Sequence, residues 1–267
     1  VAKKELKKEG FQGVEISLYG TTPDRLTKVF SKANSLGLNI FCGTGVDGEH
    51  DPSSEEPNIR KNALQYLKNC IDIAAQGNAC AINGVLYAPW QAFSDIPKEK
   101  RWENSAQVLR EAAEYGAEKG IDLHVEVINR FESDFMNTLE EGAAFLEKVN
   151  HAHVKLLVDT FHMNIEEDNL PDAIRKAGDL LGHLHVGEGN RKLPGMSKGS
   201  MPWAEMGEAL REINYNKCVV AEPFLLAGGK VGADIKVWRD LSNGADDEQM
   251  DKYLTESMKF LKEKFVG

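Results

Sequence analysis

Four side chains with metal-binding chemistry recur at one kind of position along this chain. Glu126, Asp159, His185 and Glu222 each stand at or beside the end of a short apolar run. Three carboxylates and one imidazole suit a divalent ion such as Mn2+, Mg2+ or Co2+ better than structural zinc, which prefers thiolate and imidazole. A lone acid at such a place is more often a cap or an ion-pair partner. Four at equivalent places in consecutive units point to one shared site.

Other polar groups cluster nearby. Glu132 follows Glu126 by six residues, His162 follows Asp159 by three, and Arg191 follows His185 by six. All three read as loop residues, and loops are where binding groups concentrate. Trp90, just past another apolar run, reads equally as a packed loop aromatic or as a ring that could stack on a sugar face.

The elements that must position these groups are short strands alternating with longer amphipathic helices. Strands are expected over 13–19, 39–43, 81–86, 122–127, 154–159, 182–186 and 218–222. Helices are expected over 23–36, 57–76, 100–119, 138–149, 170–177, 202–213 and 247–265, with an opening helix over 2–9. This alternation predicts a parallel sheet and a (β/α)8 TIM barrel, folded as a single domain over residues 1–267. In 122–127, Leu123, Val125 and Val127 oppose Asp122, His124 and Glu126. Such alternation suits a strand with helices outside and a partly polar bore inside. His183 and His124 precede His185 and Glu126 by two, share their faces, and are read as filling the bore. In a barrel the C-terminal strand ends form the active-site face, so four neighbouring ends can aim at one point. The expected strands number seven, so the first strand of an eight-stranded barrel is expected to be absent from these residues.

Composition narrows the function. The chain has 267 residues and a formal net charge of −10, which disfavours nucleic acid as a partner. The four cysteines are scattered without a CxxC pair, as expected of reduced thiols in a cytoplasmic protein. No apolar run reaches about 18 residues, so no membrane span is expected. Gly43-Thr-Gly-Val-Asp-Gly48 matches a dinucleotide fingerprint, but residues 49–54 read as loop, whereas that motif needs a helix to begin there. A nicotinamide site is therefore not expected.

Several longer segments are recognisable. Glu126-Val-Ile-Asn-Arg-Phe-Glu132, Asp159-Thr-Phe-His162, Gly182-His-Leu-His185-Val-Gly-Glu-Gly-Asn-Arg191, Glu222-Pro-Phe224 and Val237-Trp-Arg-Asp-Leu-Ser-Asn-Gly244 resemble the ketose 3-epimerase family. That family comprises the D-tagatose and D-allulose (D-psicose) 3-epimerases, and the resemblance covers essentially the whole chain. It implies a metal-dependent xylose-isomerase-like barrel, homodimeric or homotetrameric, with Mn2+ as the commonest metal. Carried over by motif, Glu126, Asp159, His185 and Glu222 would bind the metal. Glu126 and Glu222 would double as the acid/base pair. Glu132, His162 and Arg191 would hold the reacting end of a free ketose, and Trp90 and Phe224 would shape the pocket. Family members begin with a further strand and an aromatic-bearing loop that these residues lack.

The chemistry implied is inversion at C3. The C3 hydrogen lies next to the C2 carbonyl, so its removal gives an enediolate that a metal ion can stabilise. Inversion needs one proton carrier on each face of C3. The alternatives are an aldose–ketose isomerase moving hydrogen between C1 and C2, a metal-dependent nuclease related to abasic-site endonucleases, and a non-catalytic metal-stabilised binding protein. D-allulose/D-fructose, D-tagatose/D-sorbose and L-ribulose/L-xylulose are all compatible substrates.

Overall fold

The strand runs form because β-branched and aliphatic residues alternate with groups that face inward. In the computed structural model, which describes residues 10–199 and 201–266, they become β1 (Gly13–Ser17), β2 (Asn39–Gly43), β3 (Ala79–Gly84), β4 (Asp122–Val127), β5 (Val154–Asp159), β6 (Leu181–Val186) and β7 (Cys218–Ala221). All neighbours pair in parallel and in sequence order, giving a nearly closed seven-stranded barrel. Parallel pairing demands a crossover after every strand. The crossovers carry α1 (Pro23–Ser35), α2 (Pro57–Gln76), α3 (Lys98–Ala117), α4 (Leu139–Val149), α5 (Thr160–Glu166), α6 (Leu170–Ala177) and α7 (Trp203–Glu212). After β7 come α8 (Gly229–Asp234) and α9 (Asp247–Phe265).

Seven strands match the number expected, and the helix expected over 2–9 lies outside the described residues. Several boundaries differ, among them the end of β1, at Ser17 rather than 19. β3 begins and ends two residues early: Val85 and Leu86 are apolar because they are buried past the strand, not because they pair in it. β7 stops at Ala221, which leaves Glu222 one residue beyond. The segment after β5 folds at once into α5, because the Asp159 carboxylate caps it by accepting from the Phe161 N–H. His162 therefore stands on a helix rather than on a loop. Among the described residues no helix is long and apolar enough to cross a membrane.

The core lies between sheet and helices. Leu123, Val125 and Val127 of β4 point outward into it, beside Phe145 and Leu146 of α4. His124 and Glu126 point into the bore, as the period of two requires. A cavity of about 2610 Å3 opens over the strand ends and along the seam between β1 and β7, where Val14, Val219, Leu254 and Met258 line it.

One glycine holds two strand exits together. Gly84 ends β3 at a φ of 128°, and a Cβ there would lie 2.1 Å from the Thr44 carbonyl oxygen. Thr44 N–H donates to the Asn83 carbonyl at 2.9 Å, and Val46 N–H donates to Val85 at 3.3 Å. The two chains thus run paired past their strands. Gly84→Ala is expected to cost about 3 kcal/mol or more, read as a lower urea midpoint. A loss under about 1 kcal/mol would show that the close approach relaxes freely.

Candidate active site

Because all strands are parallel, their C-terminal ends share one rim. Glu126 on β4, Asp159 at the end of β5, His185 on β6 and Glu222 after β7 converge there. Ligand atoms of Glu126, His185 and Glu222 lie within 4.8 Å of one another, as do those of Glu126, Asp159 and His162. Glu126 belongs to both groups and so links the four expected residues, although no single group holds all of them.

The backbone around them is pinned from outside. Tyr87 Oη donates to the Glu126 carbonyl at 2.9 Å. Thr160 Oγ1 donates to the Gly187 carbonyl at 2.7 Å and accepts the Gly187 N–H at 2.9 Å, tying the exit of β5 to that of β6. Arg191, at a φ of 66°, turns back into the rim. Its Nη1 donates to Asp159 at 2.6 Å and to Glu222 at 3.4 Å. The guanidinium stacks 3.8 Å over the Phe161 ring and 5.1 Å from that of Phe224. That sandwich fixes the guanidinium where a flexible lysine would wander.

The expected loop residues join the same cavity. Trp90 Nε1 donates to Glu132 Oε2 at 2.8 Å, and Asn129 Nδ2 donates to Glu132 Oε1 at 2.9 Å. Trp90, Glu132, His162, Arg191 and Phe224 all line it. The Asn129 backbone N–H also donates to His162 Nδ1 at 3.2 Å, with the Asn129 amide 2.7 Å from the same nitrogen. Nδ1 is thus an acceptor, and the ring proton of neutral His162 sits on Nε2, 3.8 Å from Glu126. A nitrogen carrying a proton cannot bind a cation. His162 is thereby removed from the ligand set and left a hydrogen-bond donor.

Burial and charge set the protonation of the cluster. Burial, reinforced by the Glu222 charge, raises the Glu126 carboxyl well above the ordinary range. Asp159 is also buried, but Arg191 and then His162 and His185 outweigh that and hold it low. Burial pushes His162 down to about 4, so it is neutral at pH 7. Burial alone would lower His185, yet Glu222 and Glu15 raise it well above its usual value. His185 Nδ1 is buried, faces Glu222 Oε2 at 3.5 Å and has no well-formed hydrogen bond. Such an orphan on the carboxylate side is what a ligand nitrogen facing a cation would leave, and the donor set fits a divalent ion.

Two groups in the bore carry no motif in the sequence. Glu15 on β1 and Asn83 on β3 lie beneath the cluster, hydrogen bonded to His183 and His124, which fill the bore as expected. Glu15 stands on the polar face of an alternating strand, so a signal for it existed. Burial opposes its charge, but His185 and His183 hold its carboxyl well below the ordinary range.

Comparison with known proteins agrees with this architecture. The model of the family described as "Xylose isomerase-like TIM barrel" matches residues 4–263. A D-psicose 3-epimerase of Ruminiclostridium cellulolyticum is 42% identical over 262 residues, covering 96% of this chain and 89% of that protein. The crystal structure of a D-psicose 3-epimerase with D-tagatose, from Clostridium cellulolyticum H10, aligns with a TM-score of 0.92 at 40% identity, covering 99% of this chain and 92% of that one. A D-psicose 3-epimerase structure obtained in the presence of D-fructose aligns with a TM-score of 0.93 at 37% identity, covering 100% of this chain and 93% of that one.

The buried carboxylates depend on Arg191 when no cation is bound. Arg191→Met is expected to cost chelator-treated protein about 3–5 kcal/mol in urea denaturation, the usual result of stranding one half of a buried pair. Saturating divalent cation should recover much of that loss. A loss below about 1 kcal/mol would mean that the carboxylates are neutralised by another route.

Proposed function

The chain belongs to the xylose isomerase-like TIM barrel family, and we propose from that premise that it is a metal-dependent ketose 3-epimerase. The observation that carries this reading is the convergence of Glu126, His185 and Glu222 within 4.8 Å around the orphan His185 Nδ1. Three relatives, 39–42% identical over 96% of the chain, are D-psicose 3-epimerases, and D-psicose is a ketose.

Glu126, Asp159, His185 and Glu222 would hold one divalent ion, Mn2+ by preference, with Mg2+ or Co2+ as substitutes. When bound, the ion supplies fixed positive charge that lowers the cost of negative charge developing at C2 and C3 of the sugar. Glu126, on β4, and Glu222, just past β7, serve as the opposed proton carriers. One takes the C3 proton and the other returns one to the opposite face, with the roles exchanged in the reverse direction. Burial raises the proton affinity of Glu126, which suits a group that must hold a proton at neutral pH. The Nε2–H of His162 and the Arg191 guanidinium donate to oxygens that gain charge. Glu132, held by Trp90 and Asn129, accepts from a sugar hydroxyl. Trp90 and Phe224 supply apolar walls. D-allulose/D-fructose and D-tagatose/D-sorbose are the substrate pairs we favour.

We further propose a homodimer or homotetramer in the cytoplasm. Phe93, Phe131, Leu226 and Trp238 are all exposed, each in a segment that follows a strand end on the active-site face. Large apolar groups gathered on one face are typical of an interface. The four cysteines are free thiols, as in a reducing compartment.

Glu126→Gln and Glu222→Gln each keep the shape of the side chain and remove the proton carrier. Each is expected to lower kcat on D-allulose by about 10^3-fold or more, while circular dichroism still reports the native fold. Wild-type-like turnover in a folded variant would exclude that residue. Treatment with a chelator is expected to abolish turnover and added Mn2+ to restore it. Full activity after chelation, with metal content verified as nil, would remove the ion from the reaction.

A further inference from the structure

One carboxylate oxygen lies directly behind the proposed metal centre. Glu15 Oε2 is 3.2 Å from His185 Nε2, 3.1 Å from His183 Nε2 and 2.7 Å from Asn83 Nδ2. The other end of Asn83 is fixed as well, since its Oδ1 accepts from His124 Nδ1 at 2.8 Å. With its oxygen committed there, the amide can only present N–H to Glu15. A continuous polar chain therefore crosses the bore from His124 to Asn83 to Glu15 and ends on His185. Room for it is made on β2, where a side chain at Gly43 would begin 3.0 Å from Glu15 Oε1.

The geometry points to Glu15 as a positioning residue for the metal centre: it accepts the Nε2–H of His185, which fixes the imidazole and its tautomer so that Nδ1 faces the cation. This inference rests on the reading of Glu126, Asp159, His185 and Glu222 as the ligands. It adds a residue from a strand that contributes none of them. An imidazole binds a cation through one nitrogen only when the other carries the proton. A carboxylate behind the ring holds that proton in place and makes the ring a stronger donor. His185 Nε2 is hydrogen bonded to Glu15 at 3.2 Å, while Nδ1 makes no well-formed hydrogen bond and faces Glu222, one of the proposed ligands, at 3.5 Å, the division of labour that this arrangement requires.

The grouping of Glu15, His183 and His185 within 4.8 Å also invites reading as a second cation site. The short contacts around Glu15 Oε2 argue against it. The one oxygen shared by both imidazoles already receives the Asn83 amide donor at 2.7 Å. A cation between them would meet N–H hydrogens rather than lone pairs. His183 takes the second proton of the network and closes the bore floor beneath His185.

The test is binding of Mn2+ to chelator-treated protein, measured by calorimetric titration for wild type, Glu15→Gln and Glu15→Leu. Gln keeps a neutral acceptor at the same place, whereas Leu removes it. The expected result is a 10–100-fold weaker Kd for Glu15→Leu and a smaller loss for Glu15→Gln, with metal-free circular dichroism unchanged. A Kd for Glu15→Leu within threefold of wild type overturns the inference. If wild type itself binds no Mn2+, the ligand assignment fails first, and that result is distinct. The proton position can be read in wild type should a variant not fold. In Mg2+-loaded protein with 15N-labelled histidine, the His185 ring is expected to carry its proton on Nε2, with His183→Gln and His124→Gln serving to assign the signals. A proton on Nδ1 overturns the inference.

Discussion

Buried negative charge is the constraint on which the rest of this site depends. Glu126 stands within 4.8 Å of Glu222 on one side and of Asp159 on the other. Like charges at that separation cost about 3 kcal/mol per pair at an effective dielectric near 20. Arg191 offsets part of this, because it pairs with Asp159 and Glu222. Among the described residues Glu126 makes no ion pair with an arginine or lysine; its ion-pair partner is His162, which burial keeps neutral, and His185 lies within 4.8 Å. Arg191 and His185 offset only part of the repulsion at Glu126, whose carboxyl stays well above the ordinary range, so a proton or a metal ion is favoured there. That deficit suits the rim to a metal ion and suits Glu126 to carrying a proton.

The barrel is what makes so costly an arrangement geometrically possible. Parallel strands deliver every C-terminus to one rim, and the period of two sends His124 and Glu126, or His183 and His185, into the bore one above the other. The deeper member of each pair fills the floor, and the upper one faces the cavity. Outside the sheet the same strands bury Leu123, Val125 and Leu184, so apolar packing holds the frame while polar groups are concentrated within. The floor is not inert filler. Its hydrogen bonds run from His124 through Asn83 to Glu15 and terminate on the ring that faces the carboxylates.

Much of this is legible from residue types and spacing. Glu126, Asp159, His185 and Glu222 stand out because each follows an apolar run, and strand order then brings them together. The fold class is legible for the same reason. The parts that are not legible depend on contacts distant in sequence. Glu15 and Asn83 lie 68 residues apart and meet only across the bore, so neither carries a motif of its own. The donor role of His162 requires knowing that the Asn129 backbone N–H takes its Nδ1. The end of β3 is hidden because Val85 and Leu86 are as apolar as a strand, although they pack beyond the ladder. The helix after β5 is hidden because a capping aspartate in Asp159-Thr-Phe-His162 looks the same in sequence as a metal ligand, and Asp159 forms the cap while facing the cluster.

The central claim is that this cluster moves a proton at C3 of a ketose. The most direct measurement is the position of solvent hydrogen incorporated from D2O into D-allulose by the Mn2+-loaded protein, read by NMR. The expected result is deuterium at C3 of the recovered D-allulose and of the D-fructose formed. Deuterium at C1 instead would identify an aldose–ketose isomerase, and no incorporation at any carbon would contradict proton transfer at this site altogether.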